Sequence, residues 1–227
     1  MKKAFTMIEL IFVIVVIGIL AAVIIPNTRT NPLQEAAIQL VSHIRYTQHL
    51  AMIDDKFNAS RVDTAGNVIW YKDRWQIVFS SSIYSDNGEA YTIFSDTQGN
   101  AVSRGDAQKS EVARNPQNSN QIMTGGYSST AALDYRNPSF EGMQKLNIGK
   151  SYGVSSVTFS SACNSGKRIS FDYLGRPFEG DQSSMTGAYS AGTQRLIVED
   201  CHIVLSDGVD SVSITIKPET GYASISF

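Results

Sequence analysis

The stretch FTMIELIFVIVVIGILAAVIIP, Phe5 to Pro26, decides how the rest of the chain is read. Between Phe5 and Ile25 only Thr6, Glu9 and Gly18 interrupt a run of aliphatic and aromatic side chains. As a helix those residues rise about 31 Å, close to the hydrocarbon thickness of a bilayer. Lys2 and Lys3 precede the run, and the tendency of basic residues to stay inside places that end in the cytoplasm. The expectation is a single-pass inner-membrane helix over residues 5–26, with everything beyond Pro26 in the periplasm. An ordinary secretory signal peptide also has a basic start and an apolar stretch. This run is longer, however, and no small-x-small cleavage site closes it. Glu9 is the decisive oddity, because an ionisable group in an apolar helix is costly and a plain anchor has no use for one.

Working outward, the polar run NTRTNP that follows Ile25-Pro26 predicts a break, with Asn31 capping and Pro32 opening a second helix. Leu33, Ala37, Leu40, Ile44 and Ala51 recur at helical spacing, with Thr47 as a polar gap in the stripe. That pattern predicts an amphipathic helix with one face laid on a body. From Val68 the period falls to two. Trp75, Ile77 and Phe79 alternate with Gln76 and Val78, and Tyr91 to Phe94 is rich in strand formers. Further strands are predicted over residues 154–159, 168–173, 195–198, 202–205, 211–217 and 222–227. From Asn100 to Lys145 the chain is rich in Ser, Asn, Gln and Gly without apolar period, which reads as a mobile surface insertion or a partner-binding region. The fold class expected is α+β: a long N-terminal transmembrane helix continuing into an amphipathic helix packed on an antiparallel β-rich body.

Composition narrows the function. The chain has 227 residues, room for one large or two small domains, and a formal charge of −2. Past Pro26 the balance is 17 basic against 20 acidic residues, once Lys2, Lys3 and Glu9 are taken from totals of 19 and 21. Such a balance does not describe a nucleic-acid-binding domain. Two cysteines exclude a zinc ribbon.

A cut between Ala4 and Phe5 would remove both lysines and create an amine at Phe5, one helical turn from Glu9. Carboxylate and amine could then neutralise each other, within one chain or between neighbours. The stretch KKAFTMIEL followed by an apolar helix resembles the N-terminal signature of type IV prepilins and type II secretion pseudopilins. The resemblance implies that a prepilin peptidase cuts after Ala4, that Phe5 becomes N-methylated, and that Glu9 is the assembly carboxylate. The family usually carries Gly before the cut, where this chain has Ala4. RISFDYLGRPFEG (Arg168 to Gly180), SITIKPETGYASISF at the C-terminus, LVSHIRYTQHLAMIDD and DRWQIVF resemble H-type minor pseudopilins and FimT-like minor pilins. The implied organisation is a leader over 1–4, an assembly helix over 5–26, an amphipathic helix over 27–56 and a pilin-like body over 57–227. The implied function is a minor pilin or pseudopilin subunit of a secretion or pilus machine. Its partners would be prepilin peptidase, other pilins or pseudopilins and the inner membrane.

The alternative within the same family is a pilus-tip receptor for DNA uptake. Lys167, Arg168 and Arg176 are the candidate contacts for a partner, set against the ordinary fate of a turn arginine, which is solvation. Cys163 and Cys201 are either a disulfide or two buried thiols. A body outside the cytoplasm permits the bridge and makes it the preferred reading. No Gly-x-Ser-x-Gly elbow, Walker A loop or Gly-x-Gly-x-x-Gly fingerprint occurs. His43 and His49 are six apart and share no helix face as metal ligands would. Asp54, Asp55, Asp207 and Asp210 lack EF-hand spacing. No enzyme, cofactor or metal site is expected.

Overall fold

The computed structural model describes residues 6–27, 31–97, 105–187 and 195–226. The chain divides into two units, Met1–Asn31 and Pro32–Phe227. The first contains helix α1, Met7–Asn27. Every described side chain of α1, from Met7 to Leu20, is exposed. Among the described residues no helix is long and apolar enough to cross a membrane. This finding corrects the expectation of a transmembrane helix over 5–26, and with it the single-pass inner-membrane placement with a cytoplasmic N-terminus and a periplasmic body.

The second unit is α+β with antiparallel sheets. Helix α2, Pro32–Ile53, opens at the predicted proline. It buries Leu33, Ala36, Ala37, Leu40, Val41, Ile44, Thr47 and Ala51 along one face. The polar gap in the stripe closes locally, because Thr47 Oγ1 donates to the His43 carbonyl at 2.8 Å. Below α2 lie ten strands: β1 Trp75–Ser81, β2 Glu89–Ser95, β3 Arg114–Asn115, β4 Asn118–Ile122, β5 Ser156–Phe159, β6 Arg168–Phe171, β7 Pro177–Glu179, β8 Cys201–Ser206, β9 Ser211–Ile216 and β10 Ala223–Ser226. They form two four-stranded sheets, ordered β2-β1-β6-β7 and β10-β9-β8-β5, and the small hairpin β3-β4. Every pairing between these strands is antiparallel.

Alternation along the strands explains why α2 sits where it does. Ile77, Phe79, Tyr91, Ile93, Ile169 and Phe171 of the first sheet join Ile203, Leu205, Ile214 and Ile216 of the second in one core with the α2 stripe. Two turns are clasped to the helix by Gln48, whose Nε2 donates to Gly175 O at 2.9 Å and Thr220 O at 2.7 Å. Gly221 in the second turn has φ +62°, and a Cβ there would collide with the Gly175 carbonyl oxygen.

Two segments depart from the sequence reading. Residues 195–198, predicted as a strand, contribute only a bridge between Phe178 and Leu196. The polar insertion is folded over its described residues. Its Ala107, Val112, Ile122 and Leu133 pack with Val78 and Phe94 on the face of the first sheet turned away from α2. It also bonds along the free edge of β2, with Ala113 N to Ile93 O at 2.9 Å, Ile93 N to Met123 O at 3.0 Å and Gly125 N to Tyr91 O at 3.1 Å. An edge strand with open peptide groups invites foreign pairing, and this one is covered from within. The segment closes with the short helix α3, Ile148–Tyr152, where Asn147 accepts from Lys150 N at 3.1 Å.

Candidate functional site

The α1 surface is the largest feature without a partner in its own unit. Twelve large apolar side chains between Met7 and Leu20 are exposed, from 37% at Val16 to 81% at Met7. They point all around the helix rather than along one stripe, and a helix apolar on every side is built to be surrounded. Exposed apolar surface of that extent marks an interaction site. Its only described charge is Glu9. Thr6 immediately precedes the helix, and its backbone N and Oγ1 each lie 3.5 Å from Glu9 Oε2, while Glu9 N donates to Thr6 Oγ1 at 3.3 Å. This is a capping box, in which threonine and glutamate three apart satisfy each other's end of the helix. The sequence signal is Thr6-Met7-Ile8-Glu9, a threonine and a glutamate three apart at the start of the apolar run. Ala4 and Phe5, the expected cleavage pair, lie outside the described residues.

Cys163 and Cys201 form a disulfide with Cα atoms 5.6 Å apart. Both are fully buried, and the bridge ties the turn after β5 to the first residue of β8. Buried free thiols, the rival reading, do not occur among the described residues.

The three cations singled out for partner binding are each held by a carboxylate. Lys167 Nζ lies 3.8 Å from Glu89 Oε1. Arg168 is 8% exposed, with Nη1 3.4 Å from Asp181 Oδ1 and its guanidinium 5.7 Å above the Phe94 ring. Arg176 Nη2 lies 2.7 Å from Asp172 Oδ2, and Asp172 Oδ1 also accepts from Leu174 N and Arg176 N. Strand pairing sets Ile169 opposite Glu179 and Phe171 opposite Pro177. Lys167 and Arg168 therefore sit at one end of the β6-β7 hairpin and Arg176 at the other, so the structure does not gather them into a patch.

A polar network absent from the sequence reading lies under α2. His43 Nδ1 is 2.7 Å from the Tyr91 hydroxyl. Gln39 Nε2 donates to that same hydroxyl oxygen at 2.9 Å and to Lys145 O at 2.9 Å, and Tyr152 OH donates to Gln39 Oε1 at 2.8 Å. In the His43–Tyr91 contact either group can be the donor, because the hydroxyl oxygen that accepts from Gln39 can accept a second bond. Burial lowers the His43 pKa from 6.5 to about 4 and pushes Tyr91 far above its ordinary range. His49 is exposed on another face, and His202 Nδ1 pairs with Thr215 Oγ1 at 3.0 Å. Asp54 pairs with Lys56 and accepts from Trp75 Nε1 at 2.8 Å. Asp207 Oδ1 caps its own turn, accepting from Val209 N and Asp210 N. Among the described residues no three His, Cys, Asp or Glu side chains cluster as metal ligands.

No protein-family model, curated protein or solved structure matches the chain.

Proposed function

We propose that this chain is a pilin-like subunit, a minor pilin or pseudopilin of a pilus or type II secretion machine. It joins a filament through α1 after prepilin peptidase cuts between Ala4 and Phe5. The observation that carries the reading is α1 itself, apolar on every face, exposed along its described length and carrying one carboxylate in its first turn. Each large apolar side chain gains about 1.5–3 kcal/mol on full burial. Covering half of the exposed α1 surface against neighbouring helices is then worth on the order of 10 kcal/mol before the cost of association. The disulfide fits a subunit working in an oxidising compartment. The pairing of Lys167, Arg168 and Arg176 with carboxylates weighs against a DNA-receptor role, which needs cations free to replace counterions.

Intact-mass analysis of the native polypeptide tests the processing step. The expected mature chain begins at a methylated Phe5, and a chain still carrying residues 1–4 overturns the proposal. Incorporation of Glu9→Gln and Glu9→Ala subunits into sheared filaments tests assembly. Both are expected to incorporate poorly, and normal incorporation of both removes Glu9 from the mechanism.

A further inference from the structure

A groove of about 500 Å³ opens on the body, between the end of β1 and the folded insertion. Its walls carry Ser80, Tyr84, Asp106, Gln108, Tyr127 and Ser128. The frame is held firmly. Gly105 N donates to the buried Asp96 carboxylate at 2.8 Å, Ala107 is buried against the sheet, and Tyr127 N donates to Leu133 O at 2.8 Å. Within that frame the Tyr127 hydroxyl donates to Asp106 Oδ1 at 3.1 Å, and its ring packs against Phe94 with centroids 6.1 Å apart. Tyr84 carries the Arg136 guanidinium 5.8 Å from its ring centre. Asp106 is exposed, and among the described residues no donor reaches its Oδ2. Ser80 Oγ is buried without a hydrogen-bond partner, a state that calls for explanation in a folded protein.

The chemistry of the walls selects a ligand class. Among the described residues no cation lines the groove, so none of them offers phosphate or nucleic acid a counter-charge. Among the described residues the only aliphatic side chain in the walls is Ala107, so none of them offers a seat to a lipid tail or an apolar peptide anchor. What remains is dense in groups that both donate and accept, with one carboxylate, one amide and two aromatic rings. Asp106 and Gln108, two residues apart in sequence, offer an acceptor and a donor-acceptor amide to adjacent hydroxyls. Tyr84 and Tyr127 offer ring carbon to the apolar C–H face of a sugar. From this set we infer that the groove binds a neutral carbohydrate residue, with Asp106 and Gln108 reading its hydroxyls and the tyrosines supporting its ring. The inference concerns the body alone and stands whether or not α1 assembles.

The test uses the full chain and saturation-transfer NMR with the methyl glycosides of glucose, galactose and N-acetylglucosamine, with inorganic phosphate as the competitor. Transfer to at least one glycoside is expected, at millimolar affinity and unaffected by phosphate. Asp106→Ala and Gln108→Ala should each weaken that binding about tenfold, the effect of losing a hydrogen bond to a charged or well-placed polar group. Their thermal melts should match the parent, since the Asp106 side chain is exposed. Absence of transfer to all three glycosides, equal binding by parent and both variants, or displacement by phosphate would each overturn the inference.

Discussion

Lowering the pH should destabilise the body through His43, because burial under α2 disfavours the charged imidazole. Burial holds the folded pKa near 4 against 6.5 for the free side chain. Between those two values the unfolded chain binds the proton and the folded one does not, so stability is complete above about 6.5 and is lost as pH falls towards about 4. The gap, converted at about 1.36 kcal/mol per pH unit, is roughly 3 kcal/mol by pH 4, of which about two-thirds is gone by pH 5. Below about pH 4 this contribution levels off. Carboxylates such as Asp134 and Asp207, whose pKa values are held down by hydrogen bonds, add their own acid sensitivity. A His43→Gln variant isolates the imidazole. Urea denaturation of both proteins at steps from pH 7 down to pH 4 should show the parent losing roughly 3 kcal/mol more than the variant. Parallel losses would refute the assignment of a neutral, half-buried His43.

Three further measurements check the packing. Reducing the Cys163–Cys201 bridge opens a loop with a sequence separation of 38; chain entropy sets the cost at up to about 4 kcal/mol, read as a lower denaturation midpoint with reductant present. Thr47→Val should change stability by less than about 1 kcal/mol, because the hydroxyl's acceptor, His43 O, lies within the ladder of α2 and the shape is kept. Leu40→Ala, four residues from Ile44 on the same buried stripe, should cost about 2–5 kcal/mol in the same assay.

The parts legible in the sequence are those where one residue type repeats at a fixed interval. The α2 stripe reads directly, since Leu33, Ala37, Leu40, Ile44 and Ala51 are all among the residues that bury. So do β1, β2, β8 and β9, whose strand formers stand between turn residues. The insertion was illegible because its core contribution comes from scattered small or medium apolar residues, among them Ala107, Val112, Ala113, Ile122, Met123 and Leu133, with no period over 27 positions. Much of its hold on β2 comes from backbone hydrogen bonds, which leave no trace in side-chain type. The edge between β2 and the insertion also hid the groove, whose walls come from segments distant in sequence. Arg168 and Arg176 read as surface cations because their carboxylate partners, Asp181 and Asp172, are fixed by the hairpin. The apolar run was legible as a helix, and its extent as a membrane span was not.

Glu9 shows how a local role and an assembly role can share one side chain, and how to separate them. At the third position of α1 it meets the Thr6 amide and the positive end of the helix dipole. The dipole favours a negative charge there by about 0.3–1 kcal/mol, and loss of a cap costs about 1 kcal/mol. A fraying first turn could therefore weaken assembly without any contact between Glu9 and a neighbour. Glutamine fits the same capping box, so Glu9→Gln keeps the helix start and removes only the charge. A charge-dependent contact with a new amine at Phe5 predicts that Glu9→Gln fails as severely as Glu9→Ala. A purely local role predicts that Glu9→Gln assembles nearly as the parent does and only Glu9→Ala is impaired. The second pattern would leave the apolar surface of α1 as the driving force for assembly and take the charge out of it.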